Sequence, residues 1–304
     1  MKLKYLLLIV LSCCLISACD DEESIIPRNV TVEPRYIFPQ GTGEWDEIAN
    51  TIKEKHDVYV IYKNFSSLDI SRAWTVYSGR SYFGDFLTDE QANIHIHFMK
   101  EHIFDYLPVD LTRSVLPLYY FLINNYRSET VSNTSVSKAN ITNFVDGLDY
   151  WVNSIYTETV TQFPNTWEKL REHRVRIMKL FFEAAINRGV VKIPASFHDG
   201  FDYTKALVTY PATDPNSPLN RGFLGTLSGD IYNFGGIYGI SYTNPELNFL
   251  TYVFVGFRYT EEEFLEKYPA ATYALINKKR LEVINYMKEK YNVDLEAIGQ
   301  GPDL

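Results

Sequence analysis

The amino-acid sequence predicts an α+β domain in which helices dominate. Segments with helical and strand patterns follow one another irregularly, without the regular strand–helix–strand order of a parallel α/β fold and without an internal repeat. The 304 residues are 46% hydrophobic and 15% aromatic, which is enough apolar surface for a sizeable core. The net charge of −9 argues against a nucleic-acid-binding protein.

The first residues have the pattern of a secretory signal. Lys2 and Lys4 precede an apolar segment that is shorter than the roughly 20 residues of a transmembrane helix. The sequence Leu15-Ile16-Ser17-Ala18-Cys19 resembles a bacterial lipobox, in which small residues precede the cysteine that receives the lipid. We therefore expect a signal peptide over residues 1–18 and a lipidated Cys19 whose acyl chains anchor the protein in a membrane. An ordinary signal peptide with an incidental cysteine is the alternative.

An acidic, proline-interrupted linker is predicted over residues 19–44. It opens with Asp20-Asp21-Glu22-Glu23, four carboxylates that stay solvated. This run resembles the signal that exports lipoproteins to the cell surface in the Gram-negative phylum that uses SusC/SusD-like nutrient importers; a plain solvated tether is the alternative. The three cysteines all lie within the first 19 residues, so the remaining chain has no disulfide and no cysteine-based metal site.

The globular domain is predicted over residues 45–298, followed by a short tail at 299–304. An amphipathic helix over 45–55 leads into a β-branched and aromatic strand over 58–62. Thr88-Asp89-Glu90-Gln91 is a capping box that predicts a helix reaching to about Leu107. Two further strands are predicted at 116–123 and 141–145.

The second half of the domain is predicted to be mainly helical. Asn165 or Thr166 caps a helix that runs to Asn187, where Gly189 ends it. Residues 190–245 have loop composition, and 249–257 is apolar enough for a helix or a buried strand. A second capping box begins at Thr260, and 274–291 has the spacing of a long amphipathic helix.

Catalytic motifs are missing from the sequence. It contains no His-Glu-x-x-His, no Gly-x-Ser-x-Gly and no P-loop. His95, His97 and His102 fall on one predicted helix, where His95 and His97 point apart while His95 and His102 share a face. That arrangement does not bring three nitrogens to one tetrahedral zinc ion, so we expect no metal cofactor. A hydrolase with an unrecognised site remains the alternative.

Aromatic residues are the remaining signal for binding. The tyrosine-rich segment 203–242 combines loop composition with rings that carry polar tips. Within it, Tyr238 and Tyr242 lie in a glycine-rich stretch, and glycines let a backbone approach a ligand closely. We therefore predict these two tyrosines as binding residues, with packing of the loop onto the domain as the alternative.

Several segments resemble one known family, the lipoprotein putative zinc metallohydrolases associated with substrate import, found beside SusC/SusD-like importers. The likeness is carried by Tyr62-Lys63-Asn64-Phe65, by the helix at 166–188, by Gly236-Ile237-Tyr238-Gly239-Ile240-Ser241-Tyr242 with the following Glu246-Leu247-Asn248-Phe249-Leu250-Thr251, and by Tyr291-Asn292-Val293-Asp294-Leu295. It covers most of residues 45–298, and no single match is specific.

The resemblance implies a zincin-like fold without its zinc chemistry. The family's His-Glu-x-x-His window falls on Phe182-Glu183-Ala184-Ala185-Ile186, so only Glu183 survives, and the later acidic ligand falls near Thr251. It therefore implies a non-catalytic surface lipoprotein of the outer membrane, accessory to import of glycan or peptide by a SusC/SusD-like complex. Its groove would lie beside the 166–188 helix, with glycine and tyrosine residues of 235–242 as its wall and Glu183 as a further binding candidate. A structural surface lipoprotein without a small ligand is the other alternative.

Overall fold

A small mixed β-sheet has helices on one face and a second, antiparallel sheet on the other. The computed structural model describes residues 35–72, 81–131, 135–208, 211, 213–224 and 244–302. The α-helices in these ranges are α1 (Glu44–His56), α2 (Asp89–His102), α3 (Val109–Val115), α4 (Trp167–Asn187), α5 (Pro245–Arg258), α6 (Glu261–Lys267), α7 (Ala274–Tyr291) and α8 (Leu295–Gln300). The strands are β1 (Tyr59–Ile61), β2 (Ser81–Asp85), β3 (Tyr119–Leu122), β4 (Asn124–Val131), β5 (Val136–Asn140), β6 (Asn143–Phe144) and β7 (Tyr150–Asn153). The predicted α+β class is confirmed.

The mixed sheet has the strand order β1-β3-β7-β6. Its first three strands are parallel, with Val60 opposite Tyr120 and Tyr120 opposite Trp151, and β6 joins β7 in the antiparallel sense. Val60, Tyr120 and Trp151 all belong to the large core cluster that the helices fill. Because successive residues of a strand face opposite sides of the sheet, the side chains next to these in sequence point away from the helices. They must be buried by another element on the opposite face of the sheet.

That second cover is the antiparallel sheet, with the order β2-β4-β5. Tyr126 of β4 and Tyr82 of β2 stack at 5.8 Å and pack in a smaller core with Ile61 and Phe121. Burial on both faces explains why β1 and β3 are continuously apolar rather than alternating.

The helix N-termini have the capping hydrogen bonds that the sequence predicts. Thr88 Oγ1 accepts a hydrogen bond from the Gln91 backbone N–H, and Gln91 Oε1 accepts one from the Thr88 N–H. Thr260 caps α6 in the same reciprocal way, and Thr166 caps α4. The ends of α4 and α7 fall where the sequence predicts them, and the ambiguous 249–257 segment is helical.

Some elements differ from the sequence prediction. The helix predicted to reach Leu107 ends at His102 and is followed by a 3₁₀ turn at Phe104–Tyr106. The predicted strand at 141–145 is only the two residues of β6. The predictions omitted β2, β4, β5, β7, α3 and α8. In β4 and β5 the reason is that most side chains are polar and every residue of β5 is exposed, so neither strand has a buried apolar pattern.

The packed chain begins before the first predicted helix. Tyr36 is 7% exposed and its ring meets those of Tyr119 and Phe121. Gln40 Oε1 accepts from the Tyr62 backbone N–H at 2.7 Å. Residues 36–43, which the sequence assigned to the linker, therefore pack on the domain. Among the described residues, no helix combines the length and apolarity needed to cross a bilayer.

Candidate functional site

Helix α4 places Phe182 and Ile186, which the sequence resemblance aligned with the histidines of His-Glu-x-x-His, in the hydrophobic core. Phe182 is fully buried against the rings of Phe181 and Phe257, and Ile186 is 6% exposed. Glu183 lies on the outer side, where Oε2 is 3.8 Å from Lys179 Nζ. A catalytic zinc needs three protein ligands and an open position for water. Two apolar core side chains provide no ligand atoms, so this window is a packing surface.

Helix α5 carries Thr251, near which the sequence resemblance would place an acidic ligand. Thr251 is buried there and its hydroxyl donates to the Leu247 carbonyl at 2.8 Å. The side chain is neutral and its hydrogen bond stays within the helix. The two helices therefore pack apolar and neutral groups where the zinc chemistry would need imidazole and carboxylate.

The histidines of α2 lie as the helical spacing predicts. His95 and His102 share the buried face, and His97 is partly exposed. His95 Nε2 lies 2.5 Å from Asn153 Oδ1, and His102 Nδ1 accepts from Arg174 Nη1 at 2.8 Å. Burial lowers the pKa of both imidazoles to about 4, so both are neutral near pH 7.

These two histidines therefore serve separate polar contacts. In the described ranges, no group of three or more His, Cys, Asp or Glu side chains is close enough to hold a metal ion.

The predicted binding residues are only partly within the described structure. Cys19, Tyr238 and Tyr242 lie outside the described residues. Tyr203, from the same tyrosine-rich segment, packs its ring against Phe201 and Phe223. Its hydroxyl accepts from Asn248 Nδ2 at 3.2 Å, so this tyrosine fastens the loop to α5.

A pocket of about 450 Å³ lies beside the start of α2. One wall is the first two turns of α2 and the residue before them, and the other is the segment that leads into α4. The lining residues are Thr88, Glu90, Gln91, Ile94, Tyr156, Thr161, Gln162, Phe163, Pro164 and Asn165. We call this site the α2 pocket.

Aromatic packing holds the α2 pocket in shape. The ring of Phe163 lies 5.9 Å from that of Tyr156, 5.5 Å from that of His95 and 5.4 Å from that of Phe98. Burial, with a smaller contribution from the Glu90 carboxylate, raises the pKa of Tyr156 to about 12. The phenol therefore stays protonated and keeps a hydrogen-bond donor near that carboxylate.

The capping residues of α2 also leave one donor available to the α2 pocket. Gln91 uses Oε1 to accept from the Thr88 backbone. Its Nε2 group has no protein partner among the described residues.

A second, smaller pocket of about 290 Å³ is a structural junction between α4 and α6. Arg171 donates to both carboxylate oxygens of Glu263, at 3.1 and 2.8 Å, and to the Arg258 carbonyl at 2.6 Å. The hydrogen bond from Arg171 is the main reason that the pKa of Glu263 falls to about 2. The strongest charges of this pocket are therefore already satisfied within the protein.

The sequence does not predict the α2 pocket. Thr88 and Gln91 form a capping box by their spacing, and the opposite wall at 161–165 lies about 70 residues further along the chain. No local pattern indicates that two such segments meet. The signal available in the sequence was a loop with two amides and an aromatic ring immediately before a helix cap.

Comparisons with known proteins give one structural likeness. No family model matches the sequence, and no curated protein matches it. The crystal structure of a putative zinc-binding metallo-peptidase from Bacteroides caccae superposes with a TM-score of 0.47 at 13% sequence identity, over 87% of this chain and 93% of that one. At this level the likeness assigns neither a family nor an activity to the chain.

Proposed function

We propose that this chain is a non-catalytic, lipid-anchored protein of the outer-membrane surface, accessory to the import of glycan or peptide by a SusC/SusD-like complex. One observation supports its non-catalytic character above all. The positions corresponding to the two histidines of His-Glu-x-x-His hold Phe182 and Ile186, both in the core. Glu183 alone has no metal-activated water on which to act as a base.

The proposed anchor rests on the N-terminal sequence. The small residues before Cys19 support lipidation, and the acidic run after it supports export to the cell surface. The test is a Cys19→Ala variant, expressed in a Gram-negative bacterium that exports lipoproteins to its cell surface. The parent should fractionate with the outer membrane and be cleaved by protease added to intact cells, whereas the variant should be released. A variant that stays in the membrane would contradict the anchor.

Zinc content and hydrolysis test the non-catalytic part. The purified domain should contain much less than one zinc per chain and should hydrolyse neither casein nor peptide substrates. A Glu183→Gln variant is the matched control, and it should behave as the parent does. Stoichiometric zinc that is lost on changing His95 and His102, together with hydrolysis, would replace this proposal with an enzyme.

Association with an importer is tested in the native membrane. Mild cross-linking and affinity purification of the lipidated protein should recover SusC/SusD-like subunits, and their genes should lie beside this one. Recovery of the protein without importer subunits, and without such neighbouring genes, would favour a structural surface lipoprotein instead.

A further inference from the structure

We propose that the α2 pocket binds a neutral oligosaccharide. This assignment rests on the proposed function as an accessory to nutrient import and names its substrate class. The volume of about 450 Å³ falls in the range of small-ligand sites, about 300 to 1,000 Å³. Three features of the lining support a sugar: aromatic surface, side-chain amides and the absence of cationic groups.

The apolar part of the α2 pocket suits the C–H faces of a sugar ring. Phe163 is half-buried and held by Tyr156 and Phe98, so its ring presents a fixed partial surface to the pocket. Ile94 is 40% exposed on the opposite wall. A rigid aromatic side chain offers contact area with little loss of rotamer entropy, and sugar C–H groups pack on such surfaces.

The polar part of the α2 pocket suits hydroxyl groups. Gln162 and Asn165 are exposed on one wall, and each offers both a donor and an acceptor. Gln91, on the facing wall, keeps its Nε2 donor because the helix cap uses only Oε1. A hydroxyl both donates and accepts, so paired amides match it better than they match a purely anionic or cationic group.

Charge separates a neutral sugar from the other candidates. Among the described residues, Glu90 is the only acidic residue of the lining, and none of the lining residues is Lys, Arg or His. An acidic sugar, a phosphate or a peptide carboxylate would meet a carboxylate without a countercharge. A bound peptide also commonly extends a sheet edge, and no described strand contributes to this lining.

The experiment is affinity electrophoresis of the full soluble domain in gels that contain one polysaccharide each. The neutral probes are soluble starch, β-glucan, galactomannan and arabinoxylan, the acidic probe is polygalacturonate, and a casein digest is tested by calorimetry. The test variant is Gln162→Ala with Asn165→Ala. The matched control is Asn187→Ala with Asn285→Ala, two exposed amides on α4 and α7.

We expect at least one neutral polysaccharide to retard the parent. The test variant should bind it about tenfold more weakly, which is the loss expected for two hydrogen bonds, with an unchanged melting temperature. The control should bind as the parent does. Lack of retardation by every neutral probe, preference for polygalacturonate or for the casein digest, or equal binding by both double variants would each overturn the proposal. Membrane fractionation and the recovery of importer subunits do not depend on this binding experiment. A negative result for the polysaccharides therefore leaves the proposed function untouched.

Discussion

Arg174 on α4 donates from Nη1 to Nδ1 of His102 on α2, across 2.8 Å in the buried core. The same guanidinium donates from Nε to the Ile298 carbonyl at 2.6 Å and from Nη2 to the Gly299 carbonyl at 2.9 Å. One side chain therefore joins α2, α4 and α8. Because Nδ1 of His102 accepts this bond, the imidazole carries its proton on Nε2.

Removal of Arg174 should destabilise the domain strongly. In Arg174→Met, the two α8 carbonyls and His102 lose their donor while they remain buried, and we expect a loss of about 2–4 kcal/mol in the free energy of unfolding. Urea denaturation followed by circular dichroism measures this loss. Arg176→Met is the matched control, since Arg176 pairs with Glu172 at the partly exposed surface, and it should change stability by less than about 1 kcal/mol. Equal losses of unfolding free energy in the two variants would contradict the role of Arg174 in joining the three helices.

Stability should fall as the solution becomes acidic. Burial lowers the pKa of His56, His95, His102 and His173 from 6.5 to about 4 in the folded chain. Between these values the unfolded chain binds protons that the folded chain does not, so the histidine contribution is complete above pH 6.5 and is lost progressively towards pH 4.

A pH series of melting temperatures measures this decline. The fully buried His95 alone contributes up to about 3 kcal/mol. A His95→Gln variant should show a shallower decline between pH 6.5 and pH 4.5 than the parent. A parent protein whose stability is flat across this interval would contradict the prediction.

The buried Lys279 should matter more than its exposed neighbour. Its Nζ donates to the Ser196 carbonyl at 2.7 Å and to Glu282 Oε2 at 2.8 Å, and the side chain is fully buried. Lys279→Met leaves both acceptors without this donor and should cost about 2 kcal/mol. Lys278→Met changes an exposed side chain and should be nearly neutral. Thermal melts of the two variants give the comparison directly.

Rebuilding the zinc motif should damage the fold rather than restore chemistry. Phe182→His with Ile186→His inserts two imidazoles where two apolar side chains fill the core, and we expect a loss of about 3–5 kcal/mol or more. Added zinc should not recover the melting temperature of the parent. If stoichiometric zinc restores the melting temperature, a third ligand must lie within reach of the two new histidines. The surrounding structure would then still be able to hold a metal ion, contrary to this prediction.

Local sequence signals predict where the longer helices begin, although they miss the short helices α3 and α8. The hydroxyl at each of Thr88, Thr166 and Thr260 caps a helix, and such a cap depends only on residues three positions apart. The strands β4 and β5 were not predictable in the same way, because their polar side chains carry no alternating pattern. The two strands pair in the antiparallel sense, and Tyr126 of β4 packs in the smaller core.

The candidate site was less predictable than the fold. The burial of Phe182 and Ile186 follows from their apolar character and helical spacing, so the sequence indicated a core helix there. The α2 pocket arises where a helix cap meets a loop about 70 residues later, and tertiary packing of Phe163 on His95 and Phe98 of α2 joins them. The distance between this loop and the start of α2 depends on how the whole core packs, and no short segment of the sequence determines it.

The contact of Arg174 with α8 has a consequence for the order of biosynthesis. Residues 295–301 are made after every other part of the described core, yet Ile298 and Gly299 supply the backbone acceptors for a cation in its middle. In a nascent chain that lacks them, Nε and Nη2 of Arg174 have no such acceptors, and the face of α5 that packs on α8 is uncovered. The domain therefore completes its core only once α8 has left the ribosome.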